Sequence, residues 1–371
     1  MNDLENSRRE INRIDIEMAH LFEARMKACE AIAAYKKERG LSIKDAAREN
    51  ALIERCRGEI QSPEIESYYV QFLKNTMEVS CAYQSRLISG MKVAFSGTTG
   101  AFAHIASGRM FPEAELLPYP DFGPAYRAVE NGEADVAVLP IENSYAGEVG
   151  AVMDLLFSGN LYINQVQDLS ISHNLIAVKG ASLATVKKVI SHPQALSQCS
   201  QFVTRHGLET VPYANTALAA EYVKSLNDPT VAAIASVETA ETFGLEILEA
   251  GINDVQNNTT RFAALSRVPN TPLTSGVRED ENFILVFTVQ NRAGALAQTL
   301  NIIGAHGYNM RNLRSRPLKG LQWNYYFYIE AEGNVHNENG RDMMRELSAI
   351  CARLKLVGTF SNNQRLQGGA K

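Results

Sequence analysis

The sequence predicts three differently built domains on one chain: an all-α segment, then an α/β segment, then a small α+β unit. Three observations support this fold class. Residues 3–39 contain neither proline nor glycine and repeat apolar side chains every three or four residues. Short apolar strands alternate with helices from residue 92 onward. Residues 283–360 follow the order βαββαβ of a ferredoxin-like unit. We place the domains at residues 1–90, 91–270 and 281–361.

The first predicted helix carries an irregularity in its apolar stripe. Arg25 stands where the repeat calls for an apolar side chain. Because an unpaired buried cation is costly, we expect a partner anion from the protein or from a ligand. With a rise of about 1.5 Å per residue the helix is about 55 Å long, which predicts a second chain beside it.

Two more helices complete the predicted helical domain. Ser42 or Asp45 can cap the second helix, and Pro63 stands at the first position of the third. Ser80 and Gln84 interrupt the apolar face of the third helix. Together with Arg25 they suggest a polar pocket inside a helical bundle, although each residue taken singly also suits a rim position.

The composition argues against several classes of function. The net charge is −5 and no long basic run occurs, which argues against nucleic acid or a membrane surface as partner. No apolar run of about 18 residues is present, so we expect a cytoplasmic protein. The five cysteines and seven histidines lack metal-ligand spacing, and the Gly97–Gly100 turn lacks a dinucleotide fingerprint. We therefore expect reduced thiols, no metal and no cofactor.

A set of eight side chains in the helical segment carries a specific resemblance. These residues are Arg8, Arg25, Lys36, Asp45, Arg48, Glu49, Ser80 and Gln84. In type and spacing they resemble the active-site set of the all-helical chorismate mutases, whose members form intertwined dimers.

The resemblance to chorismate mutases implies a role for each residue. Arg25, Arg48 and the partner subunit's Arg8 would hold the carboxylates of chorismate. Lys36 and Gln84 would donate to its ether oxygen, and Glu49 would accept from the ring hydroxyl. Asp45 and Ser80 would be further substrate contacts. Restraint and charge stabilisation are sufficient for a pericyclic rearrangement to prephenate.

Four loops of the α/β segment resemble, in order and spacing, the motifs of prephenate dehydratases. They are residues 97–107, 140–144 (PIENS), 191–199 (SHPQALSQC) and 258–262 (NTTRF). The resemblance covers about residues 92–268. It implies two α/β lobes of periplasmic-binding-protein type with the site between them.

The dehydratase resemblance also implies site residues. Thr260 would donate a short hydrogen bond to the leaving hydroxyl of prephenate, with Glu142 as a possible relay. The residues expected to orient the substrate are Asn143, Ser144, Gln194 and Arg261. His192 is either an acid with a pKa near neutrality or a structural residue of its turn. Ala101 and Ala103 replace hydroxyl residues usual in the family, so the substrate contacts of that loop are open.

The C-terminal unit resembles ACT regulatory domains, which bind phenylalanine between paired copies. The matching residues, which we expect to bind the effector, include Gly294, Ala295, Leu296, Ser315 and Arg316. Ala297 replaces a frequent valine and Arg314 replaces the usual glutamate. Because a cation disfavours an ammonium group at close range, we expect weakened phenylalanine binding. The alternative is an ACT fold kept only for dimerisation.

These resemblances together imply an enzyme of phenylalanine biosynthesis that converts chorismate to prephenate and prephenate to phenylpyruvate. It would act as a homodimer or a higher homo-oligomer under control by phenylalanine. Two alternatives stay open at this point. The α/β unit could be a regulatory module that binds an aromatic metabolite without turnover, or only the mutase could be active.

Overall fold

A computed structural model describes residues 3–255, 257–269, 281–318 and 324–361. The chain divides into two compact units, Met1–Lys92 and Val93–Lys371. The predicted linker, apart from Glu281, and the tail beyond residue 361 lie outside the described residues. So does Trp323, the predicted start of the third C-terminal strand. In the part of the chain that the structure describes, no helix combines the length and apolar character needed to cross a membrane.

The first unit consists of three helices with the predicted bounds: α1 (Asp3–Arg39), α2 (Ala46–Arg57) and α3 (Pro63–Ser89). Asp45 caps α2, because its carboxylate accepts a hydrogen bond of 3.0 Å from the backbone N–H of Arg48. Proline opens α3, where its missing N–H would have no helical partner.

Helix α1 is only partly covered within one chain. Of its 37 residues, Cys29 and Ala33 are buried, and the helix packs against α3. The apolar residues of its amino-terminal half are 41% to 70% exposed: Ile11, Ile14, Ile16, Met18, Leu21 and Phe22. The apolar stripe is thus present, and its first half faces solvent in a single chain.

The second unit begins with a first α/β lobe. Its elements are β1 (Lys92–Ser96), α4 (Phe102–Met110), β2 (Glu115–Tyr119), α5 (Phe122–Glu130), β3 (Val136–Asn143), β4 (Gly147–Glu148), α6 (Gly150–Ser158) and β5 (Tyr162–Ser170). Strand β3 is parallel to β1. The strands of this lobe and the helices that cover them share one buried apolar core.

A second lobe follows in the chain. Its elements are β6 (Asn174–Ala177), β7 (Lys188–Ser191), α7 (Pro193–Gln198), α8 (Ser200–Arg205), β8 (Glu209–Pro212), α9 (Thr216–Leu226), β9 (Val231–Ala235), α10 (Val237–Phe243) and β10 (Glu246–Glu249). The strand order is β10-β6-β9-β7-β8. All five residues of β9 are buried because apolar clusters cover both faces of this sheet.

The chain then returns to the first lobe. Strand β11 (Thr259–Ser266) inserts antiparallel between β3 and β5. Two crossovers therefore connect the lobes, one from β5 to β6 and one from β10 back to β11. Asn253 in one crossover accepts a hydrogen bond of 2.6 Å from the N–H of His173 in the other. The two-lobed prediction is confirmed.

The C-terminal part is a four-stranded antiparallel sheet with two helices. Its elements are β12 (Glu281–Thr288), α11 (Ala295–Ala305), β13 (Asn309–Pro317), β14 (Tyr325–Glu332), α12 (Glu338–Ile350) and β15 (Arg353–Ser361). The strand order β13-β14-β12-β15 is that of a ferredoxin-like unit.

The ferredoxin-like sheet has two buried faces. Phe283 and Leu285 of β12 pack against the helices of the unit, whereas Ile284 and Val286 join the core of the first lobe. Strand β15 also continues the first-lobe sheet through Gly358. A Cβ at Gly358 would lie 1.9 Å from the carbonyl oxygen of Ile163, so this junction requires glycine.

Candidate active sites

A cavity of about 240 Å³ lies between the three helices of the first unit. Seven predicted residues line it: Arg25, Lys36, Asp45, Arg48, Glu49, Ser80 and Gln84. Arg8, the eighth, is exposed on α1. It lies seventeen residues before Arg25, which corresponds to about 25 Å along the helix. Arg8 therefore does not reach the cavity of its own chain.

Some polar groups of the helical cavity already form hydrogen bonds within the protein, and others do not. The Nζ of Lys36 donates to the carbonyl oxygen of Ile43 at 2.5 Å, and the hydroxyl of Ser80 donates to the backbone carbonyl oxygen of Thr76 at 2.8 Å. The Oε1 of Gln84 is buried and has no protein partner. The unpartnered Gln84 atom is thus an acceptor that faces no competing group of the protein.

Two cysteines line the helical cavity and were missed by the sequence interpretation. Cys29 lies one turn after Arg25, and Cys81 follows Ser80 directly. The Cys81 thiol donates to Glu49 at 3.8 Å. Burial, together with the Glu49 charge, raises the pKa of Cys81. Cys81 therefore lines the cavity as a neutral thiol.

A second cavity, of about 290 Å³, opens between the two lobes. Asn143, Gln194 and Thr260 line it, as do Ala101 and Ala103. The Nδ2 of Asn143 donates to the Thr260 hydroxyl oxygen at 2.9 Å. Because Asn143 has no proton-accepting nitrogen, the Thr260 hydroxyl uses an oxygen lone pair here and keeps its own proton for another acceptor.

Neighbouring residues on the same strands point away from the cleft. Glu142 is paired in register with Arg261, and Asn143 with Thr260, so the two pairs lie on opposite faces of the sheet. Glu142 is bound by Arg261 at 3.4 Å and by Arg314 at 2.7 Å. The predicted relay from Glu142 to Thr260, and the predicted contact of Arg261 with substrate, do not match this geometry.

Ser144 also lies outside the cleft lining. Its hydroxyl accepts a hydrogen bond of 2.9 Å from the N–H of Thr259, and its own N–H donates to the Thr259 carbonyl at 2.8 Å. These bonds join the ends of β3 and β11. They support a structural role beside the site for Ser144.

His192 lines the same cavity and caps α7. Its Nδ1 accepts a hydrogen bond of 3.2 Å from the N–H of Gln194. Burial lowers the pKa of His192, which disfavours the protonated form. The geometry therefore favours the structural alternative over the acid.

Further cleft residues were not singled out from the sequence. His173 is 2% exposed, and its Nε2 lies 2.8 Å from the Oε1 of Gln198. Burial lowers the pKa of His173. Asn215 and Thr216 line the same cavity. Gln198 lies in the 191–199 motif, whereas His173 lies in a crossover that no periodic pattern identifies.

Helix amino termini surround the cleft. Phe102 begins α4 and Thr216 begins α9, and both residues line the cavity. First-turn N–H groups have no partner within a helix and carry a partial positive charge. In α9 the Leu218 N–H already donates to the Asn215 side chain at 2.7 Å. The cavity-lining residues within the described ranges include neither lysine nor arginine. These termini are therefore the groups best suited to meet carboxylates.

The predicted effector residues lie on two elements of the ferredoxin-like unit. Gly294, with φ +81°, precedes α11, which begins with Ala295 and Leu296. Ser315 and Arg316 lie on β13. Arg316 is bound by Glu148 and Asp154 of the first lobe, each at 3.0 Å, so its guanidinium is already engaged by carboxylates.

The described fold and cavities define a two-site class of protein, in which a helical cavity lined by charged side chains precedes a two-lobed α/β cleft in the chain. Residues 7–85 match the family "Chorismate mutase type II", and residues 93–270 match "Prephenate dehydratase". A bifunctional chorismate mutase/prephenate dehydratase of Enterobacter agglomerans is 30% identical over 368 residues, which cover 95% of this chain and 94% of the relative. The chain belongs to the family of bifunctional chorismate mutase/prephenate dehydratases.

Two solved structures resemble the α/β part. The prephenate dehydratase of Arthrobacter aurescens in complex with L-Phe is 28% identical, with a TM-score of 0.67, and covers 73% of this chain and 90% of its own. GqqA, described as a novel type of quorum-quenching acylase, is 32% identical, with a TM-score of 0.67. It covers 73% of this chain and 97% of its own.

Proposed function

We propose that this chain converts chorismate to prephenate in the helical cavity and prephenate to phenylpyruvate in the interlobe cleft. The observation that carries the proposal is the meeting of seven predicted mutase residues around one cavity, on a chain of this family. We further propose that the mutase, the dehydratase and the regulatory unit occupy residues 1–90, 91–270 and 281–361.

The mutase step needs no acid, base or nucleophile. Arg25 and Arg48 would hold the substrate carboxylates in a folded conformer, and Lys36 and Gln84 would donate to the ether oxygen as its negative charge grows. Glu49 would accept from the ring hydroxyl. A rate gain of about 10⁶ requires about 8 kcal/mol of preferential stabilisation, within reach of such donors.

A homodimer would complete the mutase site. Arg8 lies about 25 Å along α1 from Arg25, so it would act in the cavity of a partner subunit. The exposed apolar side chains in the first half of α1, such as Leu21, which is 70% exposed, supply the surface for that partner. One helix would then hold the subunits together and contribute to both cavities.

The dehydratase step breaks a C–O bond and a C–C bond while the ring becomes aromatic. The ring carboxylate leaves as carbon dioxide, the electron pair of the broken C–C bond enters the ring, and the hydroxyl leaves as hydroxide, which takes a proton from solvent to become water. Thr260 would donate to the leaving oxygen while Asn143 holds it in place. Gln194 and the amino termini of α4 and α9 would meet the substrate carboxylates in place of the hydroxyls missing at Ala101 and Ala103.

We also propose that the ferredoxin-like unit is an ACT domain that binds phenylalanine through Gly294, Ala295, Leu296 and Ser315. The phenylalanine-bound relative supports this assignment. Arg316 would have to leave its carboxylate partners to contact the effector. The sequence predicts weak binding, which calorimetry of the parent chain measures. Arg314 donates to Glu142 of the first lobe at 2.7 Å, so its charge is already compensated and does not by itself support the weakening. Tight binding to the parent chain would exclude the weakening.

One assay tests the two activities. Purified protein is incubated with chorismate, and prephenate and then phenylpyruvate are followed by absorbance. Both products are expected. Prephenate alone would leave only the mutase active, and no product would favour a ligand-binding regulatory protein. An N-acyl amide substrate assayed in parallel tests for the acylase activity named for GqqA. Arogenate, the amino analogue of prephenate, tests whether the dehydratase site accepts an amino group.

A further inference from the structure

Four charged side chains join the ferredoxin-like unit to the strands that carry the dehydratase residues. The guanidinium of Arg261 on β11 donates to both carboxylate oxygens of Glu330 on β14, at 2.8 and 2.9 Å. Arg314 on β13 donates to Glu142 on β3 at 2.7 Å. We call this set the lobe–ferredoxin ion pairs, because it joins the first lobe to the ferredoxin-like part. Arg261 also contacts Glu142 at 3.4 Å, so both pairs belong to one network.

The lobe–ferredoxin ion pairs lie next to the cleft residues along the chain. Arg261 follows Thr260, and Glu142 precedes Asn143. Because successive strand residues point to opposite faces, the same two strands present Thr260 and Asn143 to the cleft and the ion pairs to the ferredoxin-like unit. A shift of either strand would move both sets together.

The Arg261–Glu330 pair is strongly held. Glu330 is 2% exposed and takes both arms of the guanidinium, the geometry that fixes distance and direction together. Burial alone lowers the pKa of Arg261, but the hydrogen bond and charge of Glu330 outweigh burial and raise it. Without Glu330, Arg261 would keep only longer contacts, to Glu142 at 3.4 Å and to Asp168 at 3.7 Å, and would lose its buried bidentate partner. The local strand would then have to adjust.

We infer that the ferredoxin-like unit is a working part of the dehydratase site, in which Glu330 and Arg314 position Thr260 and Asn143 through Arg261 and Glu142. Arg261, Glu142, Glu330 and Arg314 are positioning residues and do not touch the substrate. This inference rests on the proposed dehydratase function. The C-terminal unit would thus hold the cleft residues in position whether or not an effector is bound.

The test compares variants of the full chain that remove one contact each. Glu330→Gln keeps the shape of the side chain and removes its charge. Arg314→Gln removes the charge and shortens the side chain at a less buried position. Arg314→Lys keeps the charge. Lys355→Met is the matched control, because Lys355 binds the Leu156, Gly159 and Leu161 carbonyls across the same interface without touching β3 or β11.

Glu330→Gln and Arg314→Gln should lower the dehydratase kcat by about tenfold or more, because a small displacement of Thr260 misaligns its donor. KM should change less than kcat, and Arg314→Lys should recover most of the rate. Mutase turnover of the same chain should stay within about twofold of the parent. Lys355→Met should keep the dehydratase kcat even where its melting temperature falls.

Hydrogen exchange supplies a readout that needs no turnover. Peptides spanning residues 136–143 and 259–266 should exchange about tenfold faster in Glu330→Gln than in the parent or in Lys355→Met. If the parent lacks dehydratase activity, the proposed function fails and exchange still decides this inference. Unchanged exchange together with a kcat within twofold in both charge-removing variants overturns it. An equal loss in Lys355→Met also overturns it.

Discussion

The side-chain amide of Asn143 donates a hydrogen bond of 2.9 Å to the hydroxyl oxygen of Thr260, across the paired strands β3 and β11. The same amide donates to Asn258 at 2.9 Å, and its oxygen accepts from the backbone of Tyr145 and Ala146. Asn143 is thereby held in one orientation. A hydroxyl that accepts from a fixed amide directs its own proton elsewhere, which suits a donor to a leaving oxygen.

Replacement of Thr260 tests this donor. Thr260→Val keeps the shape but removes the hydroxyl, so the dehydratase kcat should fall by about 10²- to 10³-fold. Thr260→Ser keeps the donor and should retain a rate within about tenfold of the parent. Phenylpyruvate formation from added prephenate measures both variants, and the mutase activity of the same chain is the folding control. A valine variant within tenfold of the parent contradicts the role of Thr260.

Lys36 lines the helical cavity, and we propose that it stabilises charge on the ether oxygen of chorismate. Lys36→Ala should lower the mutase kcat by about 10³-fold, because it removes a charged donor, while far-ultraviolet circular dichroism shows intact helices. Lys27→Ala is the matched control, because Lys27 lies on the same helix with its side chain 70% exposed and paired with Glu23. A near-native rate in Lys36→Ala would remove this residue from the site.

Complementation tests the contribution of Arg8 across a dimer. Arg8→Ala and Arg25→Ala should each lower mutase turnover by more than about 10²-fold. A heterodimer of the two variants has one site with both arginines intact, so an equal mixture after joint refolding should regain about one quarter of the parental activity. No recovery would show that Arg8 does not act in the partner's site.

The neutral imidazole of His173 predicts a pH dependence of stability. Burial lowers its pKa in the folded chain, so the unfolded chain binds the proton more readily. The stabilising contribution is complete above about pH 6.5, the ordinary histidine pKa, and declines as the pH falls below it. In denaturant titrations between pH 7.5 and 5, His173→Gln should therefore lose less stability than the parent. Parallel losses would contradict this assignment.

Local pattern was sufficient for the elements of this fold. The repeat of apolar residues predicts α1 from Asp3 to Arg39, and the structure has the same bounds. Asp45 was one of two candidate caps, and it is the residue that accepts the Arg48 N–H. The order βαββαβ likewise predicts the C-terminal unit. The residues that favour a helix or a strand lie within a few positions of one another, so these elements can be predicted without knowing which distant residues meet.

The faces of the dehydratase strands could not be predicted in this way. Strand alternation places Glu142 and Asn143 on opposite faces, but which face meets the cleft depends on pairing with Thr260, 117 residues away. The predicted catalytic relay through Glu142 failed for that reason. His173 was missed because its site forms only where two crossovers meet.

The sequence by itself predicted an α, an α/β and an α+β segment and the residue types proposed for both candidate sites. Only the tertiary structure decided which charges meet: Arg314 finds Glu142 across 172 residues of chain, and Arg261 finds Glu330 across 69. The physical reason is the separation along the chain over which each interaction acts. Propensity and periodicity act between neighbours along the chain, whereas ion pairs and cavity walls depend on how distant elements pack.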